Sequence, residues 1–189
     1  MMIRRFGLIA ILAGVLPLAA PWGASAAGQE VPSLPEPSAI PPLVDHEKLR
    51  AFLPEPPAGW SAEKPESSTT DTDEIRLSSA QRTYSKGMEE GSPSATVTII
   101  DSTNNASFFD VAKKNQWEEA SENEEGYDKR IEIDGMRAIE HYNKAAKTGS
   151  LSVFVGNRYF VQVELTNVDP KELREWLQRI DTRRLAELK

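Results

Sequence analysis

Apolar and polar residues alternate along residues 151–165, with one break at Gly156-Asn157. This period of two is typical of β-strands with one buried face, and a Gly-Asn pair between two such runs is typical of a hairpin. Glycine suits the first position of a type II′ turn, which needs a positive φ. The pattern predicts two strands joined by a two-residue turn. Its apolar residues share one face, called here the Val/Leu face: Leu151, Val153, Val155, Tyr159, Val161, Val163 and Leu165.

A helix is predicted directly after this hairpin. Asp169 is a good N-cap, Pro170 suits the first helical position, and Glu172 completes the capping pattern. Apolar residues then recur at helical spacing, so the helix has one stripe that can cover the Val/Leu face. A second short turn is predicted from Asp181. The stripe contains Leu173, Trp176, Leu177 and Ile180, and the second turn carries Leu185 and Leu188.

Two further hairpins are predicted earlier in the chain. Residues 79–86 and 95–101 alternate and form the first pair. Residues 129–143 contain Asp134-Gly135, a strong signal for a type I′ turn, and form the second. Residues 61–74 are polar and acidic, which favours a surface loop.

A helix is also predicted between these two hairpins. Ser107 with Asp110 three residues later is a capping pattern, and Phe108 and Val111 follow at helical spacing. The acidic residues of 118–128 lack the ordered spacing of a calcium loop, so they indicate a solvated loop.

The predicted order of elements is β-β-α-β-β-β-β-α. Short connections between successive strands require antiparallel pairing. We therefore expect a single α+β domain over residues 58–189, in which a twisted antiparallel sheet of about six strands is covered by helices.

The chain begins with the pattern of an export signal. Arg4 and Arg5 precede an apolar run, and small residues allow cleavage after Ala26 or Ala27. Residues 1–27 are therefore predicted to be a signal peptide, with an uncleaved anchor as the alternative. The expected location is periplasmic or secreted, without stable membrane insertion after cleavage.

Residues 28–57 contain eight prolines, which predicts an extended Pro-rich linker. A spacer is one interpretation of this linker, and a proline-rich ligand for a partner is the other. Asp45 can cap a short helix at residues 46–53. We expect this helix to dock on the domain through its apolar residues Leu49, Phe52 and Leu53.

Composition narrows the possible chemistry. The net charge is −7 and no basic block is present, which argues against nucleic-acid binding. The absence of cysteine excludes disulfides, thiolate catalysis and cysteine-bound metals, and two histidines cannot form a multi-histidine metal site. We therefore expect no metal and no other cofactor.

His141 is the candidate catalytic residue, because it is the one histidine in a predicted strand. It would lie on a face with Arg137 and Ile139 and could act as the base of a hydrolase. The alternative is a surface histidine without a chemical role. No sequence motif of a serine hydrolase, P-loop, zinc protease or dinucleotide-binding protein is present.

Phe154, Phe160 and Tyr142 are the candidate partner face, predicted to lie opposite the Val/Leu face. Without a covering helix they would form an exposed apolar patch that binds an unknown protein or small ligand. The alternative is that the helix beginning at Ser107 covers them.

The chain resembles the photosystem extrinsic-protein (PsbP-like) superfamily over residues 60–188. The resemblance rests on Gly59-Trp60, on the order of elements, and on the final hairpin with its capped helix. Residues 133–135 and 155–158 also resemble segments of small exported bacterial proteins without an assigned function. The resemblance implies an α/β/α sandwich with docking or accessory roles rather than catalysis, and it implies no site residues. Trp60 itself is predicted to close the edge of the core.

Three functions follow as hypotheses. The first is an exported, non-enzymatic binding or accessory module of the bacterial cell envelope. The second is a periplasmic hydrolase of unknown substrate that uses His141. The third is a structural envelope protein tethered by its Pro-rich segment.

Overall fold

A computed structural model describes residues 41–72, 76–103, 120–156 and 158–189. More of these residues belong to β-strands than to helices, and three short helices lie at the two ends of the described chain. The strands are β1 (Ser61–Ala62), β2 (Glu66–Asp71), β3 (Arg76–Ser85), β4 (Ser94–Asp101), β5 (Ser121–Glu122), β6 (Gly126–Ile133), β7 (Met136–Asn143), β8 (Thr148–Val155) and β9 (Tyr159–Thr166). The helices are α1 (His46–Arg50), α2 (Glu172–Leu177) and α3 (Thr182–Glu187).

The nine strands form one antiparallel sheet in the order β1-β3-β4-β9-β8-β7-β6-β5, with β2 also paired to β3. The prediction of an α+β domain with about six strands covered by helices is therefore wrong. The protein is mostly β, and the helices of the described ranges are only five or six residues long.

The missed strands explain most of this error. β1 and β2 occupy the stretch predicted to be a surface loop, and β2 pairs with β3 from Glu66 opposite Gln81 to Asp71 opposite Arg76. An edge strand is held by backbone hydrogen bonds and needs no apolar face. Most β2 side chains are exposed, so its sequence carries no apolar alternation that would signal a strand.

The predicted hairpins are present. β3 and β4 pair with Ala80 opposite Ile99, and β6 and β7 pair across Asp134-Gly135. Both turn residues have positive φ, 51° for Asp134 and 78° for Gly135, as a type I′ turn requires.

The β8–β9 turn differs from its prediction. Val155 lies opposite Tyr159, so the connection spans residues 156–158 and has three residues rather than two. Gly156 has a φ of 59°, which glycine adopts without steric cost. The extra residue keeps Val155 and Tyr159 on the same side of the sheet, so the Val/Leu face is continuous across the turn.

The Val/Leu face is the buried side of the sheet, called here the core face. Leu151, Val153 and Val161 are completely buried on it. The apolar stripe of α2 packs on this face as predicted, with Leu173 fully buried and Trp176 2% exposed. Leu185 of α3 is also fully buried, so both C-terminal helices close the same core.

Residues 41–57, called here the strap, cover another part of the core face. α1 falls within the stretch predicted to be helical, and the Asp45 side chain accepts a hydrogen bond from the backbone N–H of Glu47 at its start. Val44 and Leu49 are 1% and 0% exposed and belong to the main core cluster. The second half of the predicted linker is thus packed into the domain.

Three predicted segments lie outside the described residues. They are the signal peptide at residues 1–27, the first part of the linker at residues 28–40, and the helix that begins at Ser107. None of the helices in the described ranges is long and apolar enough to cross a membrane.

Candidate functional site

Asp101 is a buried carboxylate at the end of β4, and its oxygens bind groups of the protein itself. Arg158 donates from Nε and Nη2 at 3.0 and 2.8 Å, and Val44 N–H donates at 2.7 Å. Thr103 donates from its backbone N–H at 3.0 Å and from Oγ1 at 2.6 Å. Burial raises the pKa of Asp101, but the hydrogen bonds from Arg158, Thr103 and Val44 outweigh it, so the pKa lies below its usual value.

The Asp101 network fastens the strap to the sheet. Arg158 Nη2 also donates to the carbonyl of Pro42 at 2.7 Å, so one guanidinium joins the strap to β4 and to the β8–β9 turn. Because five hydrogen bonds converge on Asp101, this carboxylate stabilises the fold and is not placed to act on a ligand.

Glu140 is the second buried carboxylate, 5% exposed on the core face of β7. It accepts hydrogen bonds from the hydroxyl of Tyr127 at 2.8 Å and from Nε of Arg174 at 3.0 Å. Burial raises the pKa of Tyr127, and so does the hydrogen bond that its hydroxyl donates to Glu140. The contacts tie α2 to β6 and β7, so Glu140 also has a structural role.

His141 lies on the opposite side of the sheet, called here the outer face. Its Nδ1 is 2.7 Å from Oδ1 of Asp128, and about half of each side chain is exposed (50% and 47%). Ser150 is the strand partner of His141 on the other side, so Asp128, His141 and Ser150 form a row across three strands. These are the residue types of a catalytic triad, but within the described ranges no hydrogen bond joins His141 to Ser150.

Phe154 and Phe160 also lie on the outer face, as predicted from the alternation of β8 and β9. Their rings are 5.4 Å apart, and they pack with Ile100 and Ile139. Each is only 7% exposed, so the pair is buried rather than an open apolar patch. A partner-binding role for these two residues stays a prediction.

Tyr142 does not share that face. It lies opposite Gly149 on the core face and donates a hydrogen bond to the carbonyl of Val168 at 3.2 Å. The alternation of residues in β7 does not show how β7 is aligned with β8. This alignment decides whether Tyr142 lies on the core face or on the outer face. A side chain at Gly149 would crowd Tyr142, because a Cβ there would lie 2.9 Å from Cδ2 of the ring.

A cleft of about 390 Å³ opens beside Tyr142 at the end of the sheet where β3, β7 and β9 end. We call it the end cleft. Trp60 forms part of its wall and is partly exposed, with its ring packed edge-on against Trp176 at 5.2 Å between centroids. Trp60 thus closes the edge of the core with one side, as predicted, and reaches the cleft.

The backbone around the end cleft is held in an uncommon conformation. Lys147 and Asn167 both line the cleft and have positive φ values of 51° and 57°. Asn167 N–H donates to the carbonyl of Lys147 at 2.8 Å, and Asn167 Nδ2 donates to the carbonyl of Gly91 at 3.0 Å. Left-handed backbone is rare outside glycine and concentrates at functional sites. These bonds hold three connections together at the cleft.

Charges of both signs line the end cleft. Lys86 and Lys147 come from two different loops, and Asp169 and Glu172 come from the start of the C-terminal helical segment. The Nζ of Lys171 lies 4.0 Å from Oδ2 of Asp169, and the two side chains form an exposed and weak ion pair. Across the described residues, Lys86, Lys147 and Glu172 form no ion pair with another residue. The cleft therefore presents charged groups that the protein itself leaves available.

Two other clefts have less to offer a ligand. One, of about 430 Å³, lies between the β6–β7 turn and α2, and another, of about 360 Å³, lies between α1 and α3. In the first of these clefts, Asp181 already caps α3. The guanidinium of Arg179 already packs over the ring of Trp176. The second has the ring of Phe52 beside charged side chains, but this ring is only 9% exposed and already lies under the guanidinium of Arg184. The end cleft differs in that its Trp60 ring is partly exposed beside charges of both signs.

Comparisons with family models, with curated proteins and with solved structures found no match to this chain. The resemblance to the PsbP-like superfamily therefore stays a prediction. In the part of the chain that the structure describes, no group of three potential metal-binding side chains occurs.

Proposed function

We propose that this protein is an exported, non-enzymatic binding module of the bacterial cell envelope that holds a small ligand in the end cleft. The observation that supports this best is the combination of the partly exposed Trp60 ring with the unpaired charges of Lys86, Lys147 and Glu172. Ligand sites combine apolar and aromatic walls with a few fixed polar groups. The predicted signal peptide supports export.

The two buried carboxylates support a binding role over catalysis. Asp101 and Glu140 are both fully engaged in fastening elements of the fold. A general acid or base needs a free position within hydrogen-bond reach of the substrate. Neither carboxylate offers one, and neither lies among the residues of the end cleft.

A screen of small molecules by thermal shift tests the proposal. The chain without its predicted signal peptide, residues 28–189, is heated with representatives of several classes: amino acids, dicarboxylates, polyamines, aromatic acids and sugars. A ligand at 100 times its dissociation constant stabilises the fold by about 2.7 kcal/mol, a shift of several degrees. We expect at least one class to produce this shift in the wild type and a smaller one in Lys147→Gln.

Lys48→Gln is the matched control, because Lys48 is exposed and lies outside the end cleft. It should behave as the wild type with the same compound. A panel without any effect, or a shift equally large in Lys147→Gln and in Lys48→Gln, would overturn the assignment of the end cleft.

A hydrolase remains the second candidate function, because Asp128, His141 and Ser150 lie in one row with a 2.7 Å contact between the first two. Activity toward chromogenic esters that disappears in both His141→Ala and Ser150→Ala, with the melting temperature unchanged, would replace the proposed binding role. The clefts described above do not include these residues.

A further inference from the structure

We infer that the ligand of the end cleft is a free α-amino acid with an apolar or aromatic side chain. The inference rests on the proposed function and specifies its ligand class. It follows from the size of the cleft, from its aromatic wall and from the balance of its charges.

The size of the cleft restricts the ligand to a small molecule. Binding pockets for small molecules span about 300–1,000 Å³. The end cleft, at about 390 Å³, lies near the lower limit of that range. It is suited to a ligand of amino-acid size and not to a nucleotide or an oligosaccharide.

The walls of the cleft suit an apolar side chain. Trp60 and Tyr142 contribute aromatic surface, and Pro93, Val168 and Pro170 contribute aliphatic surface. The Trp60 ring is fixed by its contact with Trp176, and Tyr142 is fixed by its hydrogen bond to Val168. Rigid aromatic groups bind apolar ligands at little cost in conformational entropy.

The charges of the cleft suit a zwitterion. Two lysines and two carboxylates line it, so their formal charges cancel. A polyanion would face Asp169 and Glu172, and a polyamine would face Lys86 and Lys147. An amino acid presents one carboxylate and one ammonium group, so the lysines can bind the former and the acidic residues the latter.

The frame of the cleft is preorganised for such a ligand. The bonds from Asn167 to Lys147 and to Gly91 hold the β7–β8 loop, the β9–α2 connection and the β3–β4 loop together before any ligand arrives. Less ordering is then required on binding, which raises affinity without additional contacts.

Isothermal titration of residues 28–189 with L-phenylalanine and L-leucine tests the ligand class. Two analogues of each remove one charge: the N-acetyl amino acid lacks the ammonium group, and the amino-acid amide lacks the carboxylate. Hydrogen bonds to charged groups contribute enough that each analogue should bind about ten- to a hundredfold more weakly than the parent amino acid.

Variants assign each charge to its partner. Lys86→Gln/Lys147→Gln should weaken binding of the free amino acid but leave binding of its amide unchanged. Glu172→Gln should weaken binding of the free amino acid but leave binding of its N-acetyl form unchanged. Lys48→Gln is the control and should bind all compounds as the wild type does.

The outcomes separate this inference from the proposed function. Analogues that bind as tightly as the parent amino acids would overturn the zwitterion and leave the cleft as a binding site. If only another class of compound binds, and if that binding is lost in Lys147→Gln, the amino-acid ligand is overturned and the cleft stays a binding site. If no compound of either panel binds, both the ligand class and the proposed function fail.

Discussion

Replacing Arg158 by alanine is expected to lower the free energy of unfolding by about 3 kcal/mol, measured by urea denaturation. The substitution leaves the carboxylate of Asp101, whose side chain is 0% exposed, without its opposite charge. Breaking a buried pair in this way costs about 3–5 kcal/mol. We expect the lower end of that range, because the Arg158 side chain keeps 16% of its surface in water.

This effect should depend on pH, with a defined sign. The pKa of Asp101 is lower in the folded protein than its ordinary value of 3.8, so its ionised form stabilises the fold above that pH. This stabilisation is lost as the pH falls below 3.8 and then through the lower pKa that Asp101 has in the folded protein. The difference in stability between the wild type and Arg158→Ala should therefore be full at pH 7 and shrink in this acidic range.

Arg76→Ala is the matched control for Arg158→Ala. Arg76 also pairs with an aspartate, Asp71, but this pair joins β3 to the edge strand β2 and the Asp71 side chain is 52% exposed. Its loss should change stability little, because exposed ion pairs are screened by water and salt. Equal effects of the two substitutions, or an Arg158→Ala effect that does not change with pH, would contradict the role assigned to Asp101.

Leu49→Ala is expected to destabilise the protein by about 2–5 kcal/mol in the same denaturation experiment. Leu49 is completely buried in the main core, although it comes from the Pro-rich segment that the sequence indicates as a linker. Truncation removes apolar contacts and leaves a cavity beneath α1.

Lys48→Ala on the same helix provides the comparison, because its side chain is exposed. It should change stability by no more than about 0.5 kcal/mol. A Leu49→Ala variant as stable as Lys48→Ala would mean that the strap is a linker after all and not part of the fold.

The sequence predicts well those elements that have one buried face. The alternation of Leu151, Val153 and Val161 identifies both the strands and the core face, and the stripe around Leu173 identifies the helix that covers it. Asp134-Gly135 predicts its turn because few other residue pairs adopt two positive φ values. In each case the local pattern and the packing require the same structure.

Elements without a buried face are not visible in this way. β2 is exposed along most of its length and is held by backbone pairing with β3, so apolar periodicity does not reveal it. The length of the β8–β9 turn follows from the pairing of Val155 with Tyr159, which the alternation of the two strands does not specify. The missed strands explain most of the failure of the α+β prediction, whereas the Val/Leu face, which is buried, is assigned correctly.

The candidate site is mostly invisible to sequence reasoning for the same reason. Trp60, Lys86, Lys147 and Asn167 meet only because the pairing order of the sheet brings their loops to one end. A lysine carries no sequence signal for a left-handed backbone, so Lys147 could not be singled out. Trp60 after a glycine was one visible signal at this site, and Tyr142 was another, although the sequence indicated the wrong side of the sheet for it.

Mapping the ligand by NMR tests the central claim, binding in the end cleft, most directly. Residues 28–189 labelled with ¹⁵N are titrated with L-phenylalanine or L-leucine while the amide and indole N–H signals are recorded. We predict that the shifting signals cluster at the Trp60 indole and at the amides of Lys147, Asn167 and Val168, and that His141 and Ser150 do not shift. Shifts centred on His141 and Ser150 would contradict binding in the end cleft, and no shifts at all would contradict the amino-acid ligand.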